Sequence, residues 1–280
     1  MSLSVGQRIV KQWQLLCLSI MFFTRFPVPK STPYSAHLMN QANRYFPLVG
    51  FILALLLCLI YIGLRSLFPL DVAVILVMIT SLLFTGAFHE DGLADMADGI
   101  GGGLTIEKRL AIMKDSRIGT YGSVTLIMAL LLKFILLLAL AKQQLFILSL
   151  LLAYTLSRSL AATLIFNTAY VADEAQSKSK PLASQQSVSE LVIVIVSGVL
   201  ALLLFIEKPW FIALSVWLVI VLVTFRTLFR YWLIKRIKGF TGDCLGAAQQ
   251  ISELLIYMTL IAVSQNGIKP QELANSLGAL

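Results

Sequence analysis

The densest chemistry in this chain lies in one run, His89-Glu90-Asp91-Gly92-Leu93-Ala94-Asp95-Met96-Ala97-Asp98-Gly99. Asp91, Asp95 and Asp98 are spaced i, i+4, i+7, which on a helix sets three carboxylates along one face. Like charges at that spacing repel, so the arrangement costs stability unless a cation lies between them. Hard oxygen ligands suit Mg2+ or Mn2+, and Mg2+ ordinarily binds through one or two carboxylates together with substrate phosphates. The competing reading is a solvated acidic turn at a membrane surface. Against it, no Lys or Arg falls between Arg65 and Lys108, and Gly92, Ala94, Ala97 and Gly99 leave room for a ligand.

Two further patches follow at once. Gly99-Ile100-Gly101-Gly102-Gly103 frees the backbone to approach a ligand or to form an anion-binding nest, and a flexible hinge is an equal reading. It matches neither the Walker A nor the dinucleotide fingerprint. Within Met113-Lys114-Asp115-Ser116-Arg117-Ile118-Gly119-Thr120-Tyr121-Gly122, Lys114 and Arg117 are placed to grip phosphate, the Arg in a bidentate manner. The alternative is an ordinary basic loop anchoring the next helix. Acids for a metal, glycines for access and bases for phosphate thus share one inter-helix segment, 89–122.

Residues elsewhere extend the set. Arg44-Tyr45-Phe46-Pro47 opens an apolar stretch, and Gly242-Asp243-Cys244-Leu245-Gly246 precedes another that carries Gln249, Gln250 and Glu253. Asp243 reads equally as a functional acid or a helix N-cap. Glu253 inside an apolar segment is costly without a partner. Lys133, mid-span, needs an acid. Arg158 either reaches a phosphate or bonds neighbouring helices, and Glu190 near a helix start suits the helix dipole. His89 is a candidate general base or a structural histidine; His37, the other histidine, has less claim.

The elements that must hold these residues are membrane helices. Of 280 residues, 58% are hydrophobic and 13% charged, about half the charge of a soluble domain. The mean hydropathy is +0.87. Disorder is excluded by the apolar content. A disulfide scaffold or zinc site is excluded by three scattered cysteines, Cys17, Cys58 and Cys244. Segments near 47–64, 71–88, 123–141, 145–168, 188–206 and 210–233 are long and apolar enough to span a bilayer core, and 9–24 and 247–264 are weaker. The expectation is an all-α, polytopic membrane bundle of six to eight membrane helices in one integral domain over 1–280. Continuous rather than alternating apolar runs argue against transmembrane strands. The stretch Met1–Lys30 lacks a small-residue cleavage site and does not read as a signal peptide.

Net charge is +8. It is read as topology rather than nucleic-acid binding. Arg25, Lys30, Arg44, Lys108, Arg109, Lys114, Arg117, Lys178, Lys180, Arg230, Lys235, Arg236 and Lys238 fall in the longer connections. Only Arg65, Lys142, Lys208 and Lys269 fall in the alternate, short ones. The positive-inside rule therefore puts the longer loops, and the acidic run, on the cytoplasmic side. The linker Asp173–Ser189, rich in Ser, Gln and Lys, reads as a surface loop.

Three runs carry a family resemblance: Glu90–Gly99, Met113–Gly122 and Gly242–Ala247. They are supported by Thr24-Arg25-Phe26-Pro27-Val28-Pro29 and Arg44-Tyr45-Phe46-Pro47-Leu48-Val49-Gly50. In this order, from about 20 to 260, the chain resembles cobalamin synthases, also called adenosylcobinamide-GDP ribazoletransferases. Met96 and Cys244 depart from the family's usual small or hydroxylated residues without touching the charged positions. The resemblance implies a membrane-bound, Mg2+-dependent transferase of the bacterial inner membrane, acting late in cobalamin biosynthesis. It would join adenosylcobinamide-GDP to α-ribazole or its 5'-phosphate with release of GMP. It implies the lipid membrane as partner, no nucleic acid, and leaves a homo-oligomer open. On that reading Asp91, Asp95 and Asp98 are Mg2+ ligands with Glu90 as a fourth, and Lys114 and Arg117 hold the pyrophosphate. Arg44, Gly101, Gly102, Arg158 and Asp243 complete the substrate site. CDP-alcohol phosphotransferases, which also set spaced aspartates at a membrane helix end, are an analogy of chemistry only. A transporter is the contrasting class; transporters tend to gather polar groups at the bilayer midplane in broken helices, whereas here they gather in one loop.

Overall fold

A segment crossing lipid must satisfy its own backbone hydrogen bonds, so a chain this apolar is built from helices. The computed structural model describes residues 4–172, 183–203 and 209–267. Lys178, Lys180, Lys208 and Lys269, and with them most of the expected Ser/Gln/Lys linker, lie outside the described residues.

The described helices are α1 (Val5–Phe23), α2 (Ala36–Ala42), a 3-10 turn (Asn43–Tyr45), α3 (Phe46–Arg65), α4 (Leu70–Thr85), α5 (Phe88–Gly102), α6 (Ile106–Lys114), α7 (Thr120–Lys142), α8 (Phe146–Thr163), α9 (Val188–Leu203), α10 (Pro209–Ile237) and α11 (Gly242–Gly267). Local chemistry sets many of these starts. A reciprocal Ser4/Gln7 capping box opens α1, Pro47 stands in the first turn of α3, and Thr105 Oγ1 accepts from Lys108 N at the head of α6.

Among the described residues, five helices are long and apolar enough to cross a membrane, and α4 with α5 makes a sixth only if the pair is counted together across an 84° bend, against the six to eight expected. The expected all-α membrane bundle is therefore present. The weaker spans at 9–24 and 247–264 form helices too, within α1 and α11, and the segment near 188–206 forms α9. However, α1 opens with exposed Arg8, and α9 has 16 described residues. The expected basic loop from Arg230 to 246 is different in kind. Arg230, Lys235 and Arg236 lie in the last turns of α10, whose 29 residues give about 44 Å of helix against a core of about 30 Å. The excess carries them beyond the apolar layer. Arg226 and Arg230 reach back to Thr163 and to Asn167 and Thr168, satisfying carbonyls at and beyond the end of α8.

Helix α8 is the centre of the bundle: 83% of its span is buried inside the protein, against 17% for α10. The outer face of α10 shows Ile212, Val216, Trp217, Ile220, Val223 and Leu228, the surface expected of a lipid-facing helix. Small residues set the close crossings. A side chain at Gly50 of α3 would strike the Tyr154 carbonyl and the Arg158 stem of α8, and one at Gly198 of α9 would meet Ser159.

A polar cluster ties the inner helices together. Lys133 of α7 pairs with Glu253 of α11 at 2.7 Å, both almost fully buried. Glu253 also accepts from Gln249 and Tyr257, Gln249 donates to Ser157 of α8, and Gln250 donates to Glu90 of α5. Removing one partner of a buried ion pair costs about 3–5 kcal/mol, because the other charge is left uncompensated. Glu253→Ala is therefore expected to lower the unfolding temperature of the detergent-solubilised protein sharply. The double variant Lys133→Met/Glu253→Met recovers much of the loss. Size-exclusion-monitored thermal unfolding reads both; equal Tm values for wild type and Glu253→Ala would refute the role given to the pair.

Candidate active site

The acidic run begins at a corner. Helix α4 ends at Gly86, whose φ of 66° is the left-handed cap that suits glycine, and Ala87 follows at φ 54°. A side chain at Gly86 would strike the Arg25 guanidinium, and Arg25 N donates to the Phe84 carbonyl at 2.7 Å, so the segment after α1 closes over the bend. Two consecutive left-handed residues turn the chain by 84°, and His89, Glu90 and Asp91 occupy the first turn of the new helix.

The start of α5 meets the start of α11. A side chain at Gly92 would lie 3.0 Å from the Asp243 carbonyl, and one at Gly246 would lie 3.1 Å from the His89 carbonyl. A Cβ at either position would crowd the facing backbone, so the glycine pair suits this close crossing. The Asp243 question resolves in favour of its neighbour: Cys244 N donates to Thr241 Oγ1 at 3.4 Å, so Thr241 caps α11 and Asp243 occupies its first turn. Two helix N-termini, each carrying a partial positive charge, thus converge with an aspartate in each first turn.

Beside this crossing is a cavity of about 110 Å³ lined by His89, Asp91, Lys114, Thr241 and Asp243. Its remaining walls are mostly aromatic and apolar, including Phe22, Phe23, Phe46, Phe88, Tyr170 and Phe240, with Asn43 among them. Carboxylates, an ammonium and two helix N-termini around one hollow suit a phosphate-bearing ligand held with a divalent cation.

The family model described as Cobalamin-5-phosphate synthase matches residues 15–261. The chain belongs to that family. Among similar proteins, the adenosylcobinamide-GDP ribazoletransferase of Vibrio vulnificus is 58% identical over 254 residues, covering 91% of this chain and 98% of its own. Proteins of the same name from Vibrio cholerae and Shewanella piezotolerans are 53% and 47% identical, covering 92% and 90% of this chain and 97% and 96% of their own. No solved structure matches the chain.

Within this cobalamin-5-phosphate synthase fold, the residues singled out from sequence divide. Asp91, Lys114 and Asp243 come together on the cavity. Asp95 is buried one turn further along α5. Asp98 is engaged elsewhere: it accepts from Gly119 N at 2.6 Å and Gly122 N at 2.8 Å, capping the start of α7. Glu90 turns inward, where Oε1 accepts from Gln250 and Oε2 has no partner among the described residues. Successive helical residues diverge by about 100°, so Glu90 and Asp91 cannot share a face. Among the described residues, no three His, Cys, Asp or Glu side chains gather closely enough to hold one ion, so the Glu90, Asp91, Asp95 and Asp98 set does not form a ready-made cage.

The glycine run forms neither nest nor hinge. It continues α5 to Gly102, Gly99 lies against Met113 of α6, and Gly101 lies against the Tyr121 ring, away from the cavity lining. Gly102 is exposed on the last turn. Arg44 pairs with Glu190 at 3.0 Å. Arg158 is 2% exposed and packs over the Phe46 and Tyr154 rings, behind the Phe46 wall of the cavity. Arg117 is exposed and pairs with Asp115 at 2.6 Å, a bond that raises its pKa further; such surface pairs are weak, so the guanidinium is readily released to a ligand.

Sequence reasoning passed over Asn43 and the aromatic lining. Their positions, from Phe22 to Phe240, follow no spacing that would join them before the fold is known. Asp98 now carries a structural role that its spacing did not suggest. Asp98→Ala removes a charged acceptor from two backbone donors, each bond of this kind contributing about 1.5–3 kcal/mol. It is expected to lower thermal stability, whereas Asp91→Ala leaves it near wild type. Parallel unfolding curves of the two variants check this; equal stability would return Asp98 to a purely chemical role.

Proposed function

We propose that this protein is an adenosylcobinamide-GDP ribazoletransferase of the inner membrane, with the cavity between α5, α6 and α11 open to the cytoplasm. The observation that carries the reading is the shared lining of Asp91, Lys114 and Asp243. Relatives covering about nine-tenths of the chain bear that enzyme name, and the exposed basic end of α10 agrees with the cytoplasmic placement by the positive-inside rule.

In this reaction a ribose hydroxyl of α-ribazole, or of its 5'-phosphate, attacks the corrinoid-side phosphorus of the diphosphate. The P–O–P bond breaks and GMP leaves with the bridging oxygen, while the hydroxyl proton passes to a base. The donor chemistry fits Mg2+, which Asp91 and Asp243 would hold as hard oxygen ligands. The ion would neutralise charge on the diphosphate. Lys114 draws the diphosphate to the two helix N-termini, which stabilise the same charge. Arg117, once free of Asp115, adds a second cationic contact. His89 is among the cavity-lining residues and is the candidate acceptor for the hydroxyl proton.

Purified protein in nanodiscs, given labelled adenosylcobinamide-GDP and α-ribazole, is expected to release GMP and form the joined product. Chelation of Mg2+ should stop turnover and its return restore it. Asp91→Asn should lower kcat by about a hundredfold or more, the scale of losing one electrostatic contact to a transition state. Well-folded protein that forms no product, or an Asp91→Asn variant with full activity, would defeat the proposal.

A further inference from the structure

The back of α5 faces a second hollow. A groove of about 410 Å³ runs between α5, α7, α10 and α11. Its α5 wall is Leu93, Met96, Ala97 and Ile100, about half a helical turn round from Asp91. The other walls are also almost wholly apolar, with Trp232 on the α10 side. The volume falls within the roughly 300–1,000 Å³ of a small-molecule site. In a membrane bundle an open apolar groove is filled by hydrocarbon, because a gap between helices forfeits dispersion contacts that an acyl chain restores.

The α10 side of the groove leads to cations. Lys235 and Arg236 follow Trp232 by three and four residues, so they share its side of α10, one turn nearer the end of the helix. Both are exposed, and no ion pair among the described residues uses either. Exposed Lys238 follows, and Arg109 of α6 reaches the Arg236 carbonyl at 2.8 Å, which adds further positive charge to the same ledge. A tryptophan with cations one turn beyond it matches the order of groups from acyl chain to phosphate in a lipid leaflet. Basic pockets between membrane helices are where anionic headgroups bind. A similar groove of about 450 Å³ between α3, α8 and α9 lacks this feature. The cation beside it, Arg44, is already paired with Glu190 at 3.0 Å.

We propose that the groove between α5, α7, α10 and α11 is a binding site for an anionic phospholipid. One acyl chain lies along α5 and Trp232, and the headgroup phosphate is held by Lys235 and Arg236, the Arg in a bidentate manner. The bound chain then packs against the back of the helix that carries Asp91. The groove of α3, α8 and α9 takes lipid without regard to charge.

The test follows thermal unfolding of delipidated protein in detergent with phosphatidylglycerol, with phosphatidylcholine of the same chains, or with inorganic phosphate. Native mass spectrometry counts the lipid retained. Phosphatidylglycerol at about a hundredfold excess over its Kd is expected to raise the Tm by about 5 °C. Wild type should retain it about tenfold better than phosphatidylcholine, the scale of one charge-assisted contact. The double variant Lys235→Gln/Arg236→Gln should lose that preference and keep the smaller response to phosphatidylcholine. Ala129→Phe, which fills the groove from α7, should lose it with the cations intact, whereas Leu200→Phe in the other groove should keep it. Equal retention of the two lipids by wild type, a preference that survives the double variant, or an equal Tm rise with inorganic phosphate would overturn the proposal. So would a folded Ala129→Phe that keeps the preference, or a second copy of the chain, in place of lipid, that is lost in Ala129→Phe. Should Ala129→Phe fail to fold, the double variant at the exposed helix end decides alone.

Discussion

The Lys133–Glu253 ion pair constrains the rest of the bundle. An ammonium and a carboxylate inside an apolar layer must find each other or be expelled. Their 2.7 Å contact fixes the register of α7 against α11. Glu253 in turn holds Gln249, Gln249 reaches Ser157 of α8, and Gln250 reaches Glu90 of α5. Four helices are thereby locked at a common height. Glycines then allow the starts of α5 and α11 to touch, and that touch places Asp91 beside Asp243. The intramembrane cluster and the cavity are two ends of one mechanical arrangement: hydrogen bonds set the level, and missing side chains set the distance.

The bend between α4 and α5 supplies what a straight span could not. A continuous helix has its N-terminus at one membrane surface only. Breaking the pair at Gly86 and Ala87 makes a second N-terminus, with its unpaired N–H groups and positive dipole, beside the N-terminus of α11. Ala87 in the left-handed region costs about 1–2 kcal/mol, a cost borne by the packing around it, including Arg25 laid over Gly86. Strain at the corner is thus offset at the point where the chemistry needs a helix to begin.

Most of the helical frame was legible in the sequence, because spans about 20 residues long and free of charge have few other structures open to them. The eight expected segments all appear as helices. The boundaries that shifted did so for identifiable reasons. Arg230 to Arg236 read as loop because they are charged, yet α10 is simply longer than the apolar layer. The glycines at 99–103 read as backbone open to a ligand, an anion-binding nest or a hinge, because glycine is flexible in isolation. In the fold those up to Gly102 are helical, with α6 and Tyr121 against the bare backbone, and Gly103 is the extended cap. The site was legible where it was local: Asp91, Lys114 and Asp243 each stood in a motif. It was illegible where it depended on contacts between distant elements, as with Asn43 and His89 on one cavity or the stacked rings of Phe23 and Phe46.

Helical periodicity correctly aligned Asp91, Asp95 and Asp98 but could not say what the face would meet. The start of α5 lies against α11 and the cavity, so Asp91 remains available to a ligand. The far end lies against the start of α7, where two backbone N–H groups need acceptors and take Asp98. A side chain at Gly119 or Gly122 would collide with that carboxylate, so the glycines of the Met113–Gly122 run serve the aspartate rather than a substrate. One row of like charges is therefore divided between two helix N-termini, one capped by protein and one left for phosphate. The repulsion that argued for a cation among all three is relieved at Asp98 by backbone donors, and the demand for a counter-charge falls on the Asp91 end, where Asp243 adds a second carboxylate and Lys114 supplies one positive charge.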